Sequence, residues 1–320
     1  MKIGVFTVLF GDRSLEDTLD HLVSLGVEAV ELGTGAYPGN AHCDPDVLLR
    51  EESRLREFRR ALESRDLGIS ALSCHGNPLH PQTGIARKHH LVFEQTVKLA
   101  ASLGVETVIT FSGCPAAGPQ ETVPSWIVSA WPPEFPEMLE WQWAERVEPY
   151  WREASRIAKA AGVRVAIEMH PNFVVYHPES MLRLRDIAAG TVGCNFDPSH
   201  MFWQGIDPCA AIRALGDCIY HVHAKDCRVD GRNTAVNGVL DTKKYTRELE
   251  RSWIFRTVGY GHDAGVWKDM ISTLRLVGYD HVISIEHEDS VMAPAEGLRK
   301  AIEFLKGVVI AEPPGEAYWA

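Results

Sequence analysis

Four short stretches of this 320-residue chain finish on acidic and imidazole side chains. They read Ile167-Glu168-Met169-His170, Asn195-Phe196-Asp197-Pro198-Ser199-His200, His221-Val222-His223-Ala224-Lys225-Asp226 and Ile285-Glu286-His287-Glu288. Each follows an apolar, β-branched run. A charged group at the end of an apolar strand is costly to bury unless it is paired or bound to a cation. Ion pairs account for one or two such positions; four together point to a metal. Alternate residues of an extended chain share a face, which groups Glu168 with His170, His221 with His223 and Lys225, and Glu286 with Glu288. One residue per stretch gives the set Glu168, Asp197, His223 and Glu286. Three carboxylates and one imidazole make a hard, oxygen-rich site for one divalent ion, Mn²⁺ foremost, with Mg²⁺, Co²⁺ or Zn²⁺ as alternatives.

The elements that must carry these residues alternate along the chain. Strand-like runs cover residues 3–10, 29–32, 69–74, 107–111, 163–169, 192–196, 218–222 and 282–285. Helical spacing of apolar residues marks 15–25, 46–66, 87–103, 138–161, 179–189, 208–215, 264–277 and 294–306. Ser14 is placed to cap the first helix, and glycines such as Gly104 and Gly278 fall just past helix ends, where a left-handed residue is needed. Eight strands alternating with eight helices predict one (β/α)₈ barrel spanning residues 1–320, with its chemistry at the C-terminal ends of the strands. A doubly wound sheet is disfavoured because no Gly-x-Gly-x-x-Gly follows the first run. Two connections are extended, 113–137 after the fourth strand and 227–262 after the seventh. Both are expected to overhang the mouth. Five of the nine tryptophans (Trp126, Trp131, Trp141, Trp143 and Trp151) fall in or just after the first, where they pack it onto the barrel or serve as a lid.

Composition narrows the function. Against 32 basic side chains stand 43 acidic ones, for a net charge of −11, and no basic cluster suited to a phosphate backbone is present. No nucleic-acid partner is expected. No run approaches the roughly 18 apolar residues of a membrane span, so no membrane partner is expected either. The apolar start, residues 1–10, lacks a small-residue cleavage site and reads as a strand. Seven scattered cysteines without a Cys-x-x-Cys read as reduced thiols, which places the protein in the cytoplasm.

In the order and strand placement of the four stretches, nearly the whole chain resembles the xylose-isomerase-like barrels, which include sugar isomerases, ketose 3-epimerases and endonuclease-IV-type enzymes. The resemblance implies that Glu168, Asp197, His223 and Glu286 bind one divalent metal, with the second histidine of His-x-His chosen over His221. It implies that Glu168 and Glu286 exchange a proton from opposite faces of the substrate and that His200 touches it. It also implies a homo-oligomer, dimer or tetramer. The nuclease branch is set aside: the fourth strand ends Thr110-Phe111-Ser112-Gly113 without a histidine, and the Asp-x-His of that branch is missing after the seventh.

These residues suit a sugar isomerase or epimerase working on a ketose, keto-sugar or cyclitol. A divalent cation acidifies the C–H beside a chelated carbonyl and stabilises the enediolate. One carboxylate then removes the proton and a second returns it. The alternative is a lyase that expels the aglycone of a 3-keto-glycoside by β-elimination, downstream of a dehydrogenase, with His170 as its candidate base. A non-catalytic sugar-binding barrel has no need of an intact ligand set. His75, after the third strand, is expected to line the substrate pocket. Glu31, ending the second, binds a distal hydroxyl or pairs with Lys or Arg. Lys225 contacts substrate or pairs with Asp226, and Tyr37 and His42 shape specificity. Without an Arg or Lys cluster beside the glycine-rich segment 259–263, a non-phosphorylated sugar is expected.

Overall fold

The computed structural model describes residues 1–319. Eight parallel strands close a barrel: β1 (Lys2–Phe6), β2 (Ala29–Gly33), β3 (Gly68–Ser73), β4 (Thr107–Phe111), β5 (Arg164–Glu168), β6 (Val192–Phe196), β7 (Ile219–Ala224) and, after an insertion holding β8 (Asp226–Val229) and β9 (Trp253–Arg256), β10 (Val282–Ile285). Their order around the barrel is β1-β10-β7-β6-β5-β4-β3-β2, and β8 and β9 form a separate antiparallel ribbon. This is the TIM barrel that the alternation of runs predicts, with helices packed outside it.

Alternation decides what fills the interior. Ala71, Ile109 and Ala166 form a small buried apolar cluster inside the barrel. Two residues further along the same strands come Ser73, Phe111 and Glu168. Above the apolar cluster lies a buried polar layer of Glu31, Ser73, Asn195, His221, His223 and Ser284. The larger apolar core sits between barrel and helices, with Trp151 and Trp267 among its most buried side chains.

Several boundaries differ from expectation for identifiable reasons. The first run stops being a strand at Phe6, where its pairing with β2 and β10 ends, and Thr7–Phe10 curl into a 3₁₀ turn. The helical stretch 46–66 is broken at Glu51, which is extended, into Pro45–Arg50 and Glu52–Glu63. The stretch 138–161 begins earlier, at Glu134, and contains a wide π turn over Trp143–Val147. That turn falls where Pro149 has no N–H to give the preceding turn. Ser14 does cap its helix, accepting from the Asp17 amide at 3.1 Å, and Gly104 and Gly278 take φ of 73° and 90°. All seven cysteines are free, and no helix of the described residues is long and apolar enough to cross a membrane.

The two insertions are held differently. The first is tied to its neighbours through two amide side chains. Asn77 clasps the backbone of Cys114 through both amide atoms at 2.9 Å, and Gln142 donates to the carbonyls of Pro115, Ala116 and Ser125. Trp126 packs edge-on against Tyr176, and Trp131 is exposed. The second insertion hangs on two carboxylates. Asp226 accepts from the amides of Cys227, Gly259, Gly261 and His262 and from the rings of His262 and Trp267. Asp289 accepts from Arg256 and Thr257.

Candidate active site

A cavity of about 730 Å³ opens at the C-terminal ends of the strands. Its floor is His75, Glu168, His170, Lys225 and Glu286; Phe6, Tyr37 and Phe111 line one arc, and Tyr245, Ile254 and Phe255 the other. Only the second insertion contributes to this lining. Residues 113–137 do not, although Trp126 packs against the cluster of Trp203, Cys227, Trp253 and Phe255 behind that lining.

The four residues chosen as ligands converge. Glu168 ends β5, Asp197 follows β6, His223 lies in β7 and Glu286 follows β10. Each offers a donor atom, and these atoms all lie within 4.8 Å of one another. Glu168 Oε2 accepts from His75 Nε2 at 2.9 Å and from Asn195 Nδ2 at 3.3 Å. Asp197 spends Oδ1 on the Ser199 amide, at 2.8 Å. Its Oδ2 has no hydrogen-bond partner, and neither have His223 Nδ1, Glu286 Oε2 or the two ring nitrogens of the adjacent His200. His223 Nδ1 and Glu286 Oε2 are 3.0 Å apart but misaligned for a hydrogen bond. Buried polar atoms left over at a single point are what a cation would satisfy.

Charge gives the same answer. Burial raises the Asp197 carboxyl to about 6; His200 and Lys225 pull it down, while Glu168 and Glu286 push it up. Three carboxylates share a site with little water to screen them. Lys225 offsets one. Burial works against its charge, but Glu286 at 3.3 Å and Glu288 at 2.9 Å hold it protonated, with Nζ also 4.4 Å from the centre of the Phe255 ring. The chain therefore does not pair Lys225 with Asp226, whose carboxylate is fully used in fastening the insertion.

The remaining predicted residues separate into two groups. His75, Lys225, His170 and Tyr37 line the cavity. Burial, reinforced by His200, lowers His170 to about 3, and its Nδ1 sits 2.6 Å from the Pro171 carbonyl, so Nε2 is left as an acceptor. His200 packs edge-on to His170 and lies 3.3 Å from both Glu168 and Asp197, among the carboxylates rather than in the lining. Glu31 is not in the lining either. It meets no Lys or Arg but Ser73, Ser284 and His223. His42 is held beneath the surface by Thr7 and Thr18.

Asn195, Glu288, Tyr245 and Phe255 went unpredicted. A polar residue two places before Asp197, inside an apolar run, was an available signal for Asn195. Nothing in the polar insertion marks Tyr245 or Phe255 as cavity walls.

Fold and site together define a class: the model of the xylose isomerase-like TIM barrel family matches residues 19–308, and this chain belongs to that family. A relative from Bacillus subtilis (strain 168), the uncharacterized protein YfiH, is 39% identical over 312 residues, covering 97% of this chain and 99% of its own. Among solved structures, the probable 3-DHS dehydratase AsbF of Bacillus anthracis superposes with a TM-score of 0.66 at 18% identity, over 96% of this chain and 99% of that one. The 3-keto-D-glucoside 4-epimerase YcjR of E. coli gives 0.63 at 15% identity, over 96% and 99%. At these identities the two structures share the fold.

Proposed function

We propose that the protein is a divalent-metal-dependent isomerase or epimerase of a neutral ketose, keto-sugar or cyclitol, with Glu168 and Glu286 as its acid and base. The observation that carries this reading is the convergence of Glu168, Asp197, His223 and Glu286 on one point, with three of their buried ligand atoms unpartnered. A cation bound there, Mn²⁺ foremost, supplies Lewis acidity that acidifies the C–H beside a chelated carbonyl. The chain supplies the rest. Glu168, on β5, takes the proton from one face; Glu286, after β10, serves the other. Each has one oxygen turned to the ligand cluster and one held elsewhere, Glu168 Oε1 near His200 and Glu286 Oε1 at Lys225. His170, neutral and with Nε2 free, accepts a hydrogen bond from a substrate hydroxyl and is a poor base at neutral pH. Among the described residues lining the cavity, Lys225 is the only Lys or Arg, and two glutamates already neutralise it. This supports an uncharged, unphosphorylated substrate.

The lyase reading needs a trough lined by both insertions. Only the second reaches the cavity, which favours the isomerase or epimerase. The deciding experiment is metal analysis of the purified protein, then a deuterium-exchange screen in heavy water with Mn²⁺ restored. Deuterium appearing beside a ketose carbonyl, with an epimer or isomer as product, supports the proposal. Turnover confined to 3-keto-glycosides with release of the aglycone replaces it with the lyase.

A further inference from the structure

Glu31 has no role in the chemistry above, yet it is a carboxylate buried completely inside the barrel. Burying that charge is costly unless donors surround it. Its donors come from three other strands. Ser73 of β3 reaches Oε1 at 2.5 Å, and Ser284 of β10 reaches Oε2 at 2.7 Å. His223 Nε2, from β7, lies 3.1 Å from one oxygen and 3.0 Å from the other. In the barrel β1 and β10 stand between β2 and β7, so this contact crosses the interior. An ionised carboxylate only accepts, so Nε2 must carry the hydrogen. Nδ1 is on the other side of the ring. It is the atom without a hydrogen-bond partner, 3.0 Å from Glu286 Oε2 and 3.4 Å from Glu168 Oε2.

His221 does not share this arrangement. Its Nδ1 meets Asn195 Oδ1 at 2.9 Å, its Nε2 meets Ser70 Oγ at 3.3 Å, and it comes no closer to Glu31 than 3.9 Å. Through Asn195 it supports Glu168 from below. The polar layer thus has two arms: one ends on a ligand carboxylate, the other on the ligand imidazole.

We infer that Glu31 is a positioning residue that keeps the hydrogen of His223 on Nε2 and turns Nδ1 toward Glu168, Asp197 and Glu286, so that the ring is set as a ligand before a cation arrives. The inference rests on the proposed cation site. Partners of this kind, behind a ligating histidine, typically change metal affinity by roughly 10- to 100-fold when removed.

The test is a double-mutant cycle on the intact chain, read as Mn²⁺ affinity by titration calorimetry, with melting temperatures of the metal-free proteins recorded alongside. Glu31→Gln should weaken Mn²⁺ binding by roughly 10- to 100-fold. In a His223→Ala background the same change should cost little further, because the residue it acts through is gone. Equal losses in both backgrounds would show Glu31 acting through its charge or through the fold at large, and would overturn the inference. So would unchanged affinity in Glu31→Gln. If Glu31→Gln does not fold, Ser73→Ala with Ser284→Ala frees the carboxylate from its two hydroxyls. That variant should give a smaller loss with the same dependence on His223, and an equal loss without His223 again overturns the inference. A wild-type chain with no Mn²⁺ affinity brings down the site itself and this inference with it; tight wild-type binding with an indifferent Glu31 brings down the inference alone.

Discussion

Glu168 and Glu286 are the same residue at comparable strand ends, yet their surroundings differ in kind. Glu168 is closed in. Imidazole and amide donors from His75 and Asn195 take one oxygen, and His200 faces the other. Glu286 opens on the cavity, its side chain 14% exposed, and leans on one full charge, the Lys225 ammonium. Burial works to raise the Glu286 carboxyl, and Lys225 with His223 outweighs it, holding it at about 2. One carboxylate is therefore set by a network of donors and the other chiefly by one ion pair, with His223 beside it. A network resists any one substitution, whereas an ion pair can be removed by one.

The largest effects should come from the carboxylates themselves. Glu168→Gln and Glu286→Gln should each lower turnover by about 10²- to 10⁴-fold at saturating metal. If the two serve opposite faces, each variant should still exchange deuterium into one epimer of a substrate pair and lose exchange into the other. Full activity in Glu286→Gln would end the two-carboxylate mechanism.

Lys225→Met should come next and should act chiefly on the Glu286 side, with a smaller effect on Asp197. Breaking a buried pair costs about 3–5 kcal/mol, and the low end applies because Glu288 is half exposed and keeps its water. Without the ammonium, the Glu286 carboxyl rises. The acid limb of kcat/KM should then move to higher pH, while exchange from the Glu168 face persists. A pH profile identical to wild type would show that Lys225 does not set Glu286.

The residues that attach to strands were readable in advance, and those that depend on the shape of an insertion were not. Alternation along β5, β7 and β10 was enough to group Glu168 with His170, His221 with His223, and Glu286 with Glu288, because period two survives any detail of the loops; the choice of His223 over His221 came from the family resemblance. Alternation left Glu31 undecided. Its partner His223 is 192 residues away and across the barrel, a relation that no local pattern encodes. Tyr245 and Phe255 reach the cavity through the β8–β9 ribbon, whose ends are fastened by Asp226 and Asp289, partners that lie far apart in sequence. Residues 113–137 looked equally suited to that place. They are fastened instead by Asn77 and by Gln142, a side chain that binds three carbonyls, and Trp126 packs behind Phe255 and not in the cavity wall.

Metal removal should expose the shared charge of the site. The folded Asp197 carboxyl lies at about 6, against an ordinary 3.8. In metal-free protein it therefore contributes stability that is complete below about 4 and is lost as the pH rises through 6. A cation relieves the ionised form. The rise in melting temperature on adding Mn²⁺ should accordingly be larger at pH 7.5 than at pH 5; its ceiling is set by mass action, about 2.7 kcal/mol at a hundredfold excess over Kd. An increment equal or larger at pH 5 would contradict the assignment of Asp197 to the cation.

The smallest effects should separate the two insertions. Tyr245 lies in the cavity wall, stacked on Phe255 at 5.7 Å with the rings 17° apart. Tyr245→Ala should raise KM by roughly 3- to 10-fold with kcat little changed, the range expected from losing one aromatic contact of about 0.5–1.5 kcal/mol. Trp131 belongs to the insertion that does not line the cavity and is 75% exposed. Trp131→Ala should leave both constants within about twofold, as surface changes away from a site usually do. If Trp131→Ala raised KM as much as Tyr245→Ala, the first insertion would have to fold over the mouth during turnover. The open trough that favours the lyase would then return to contention.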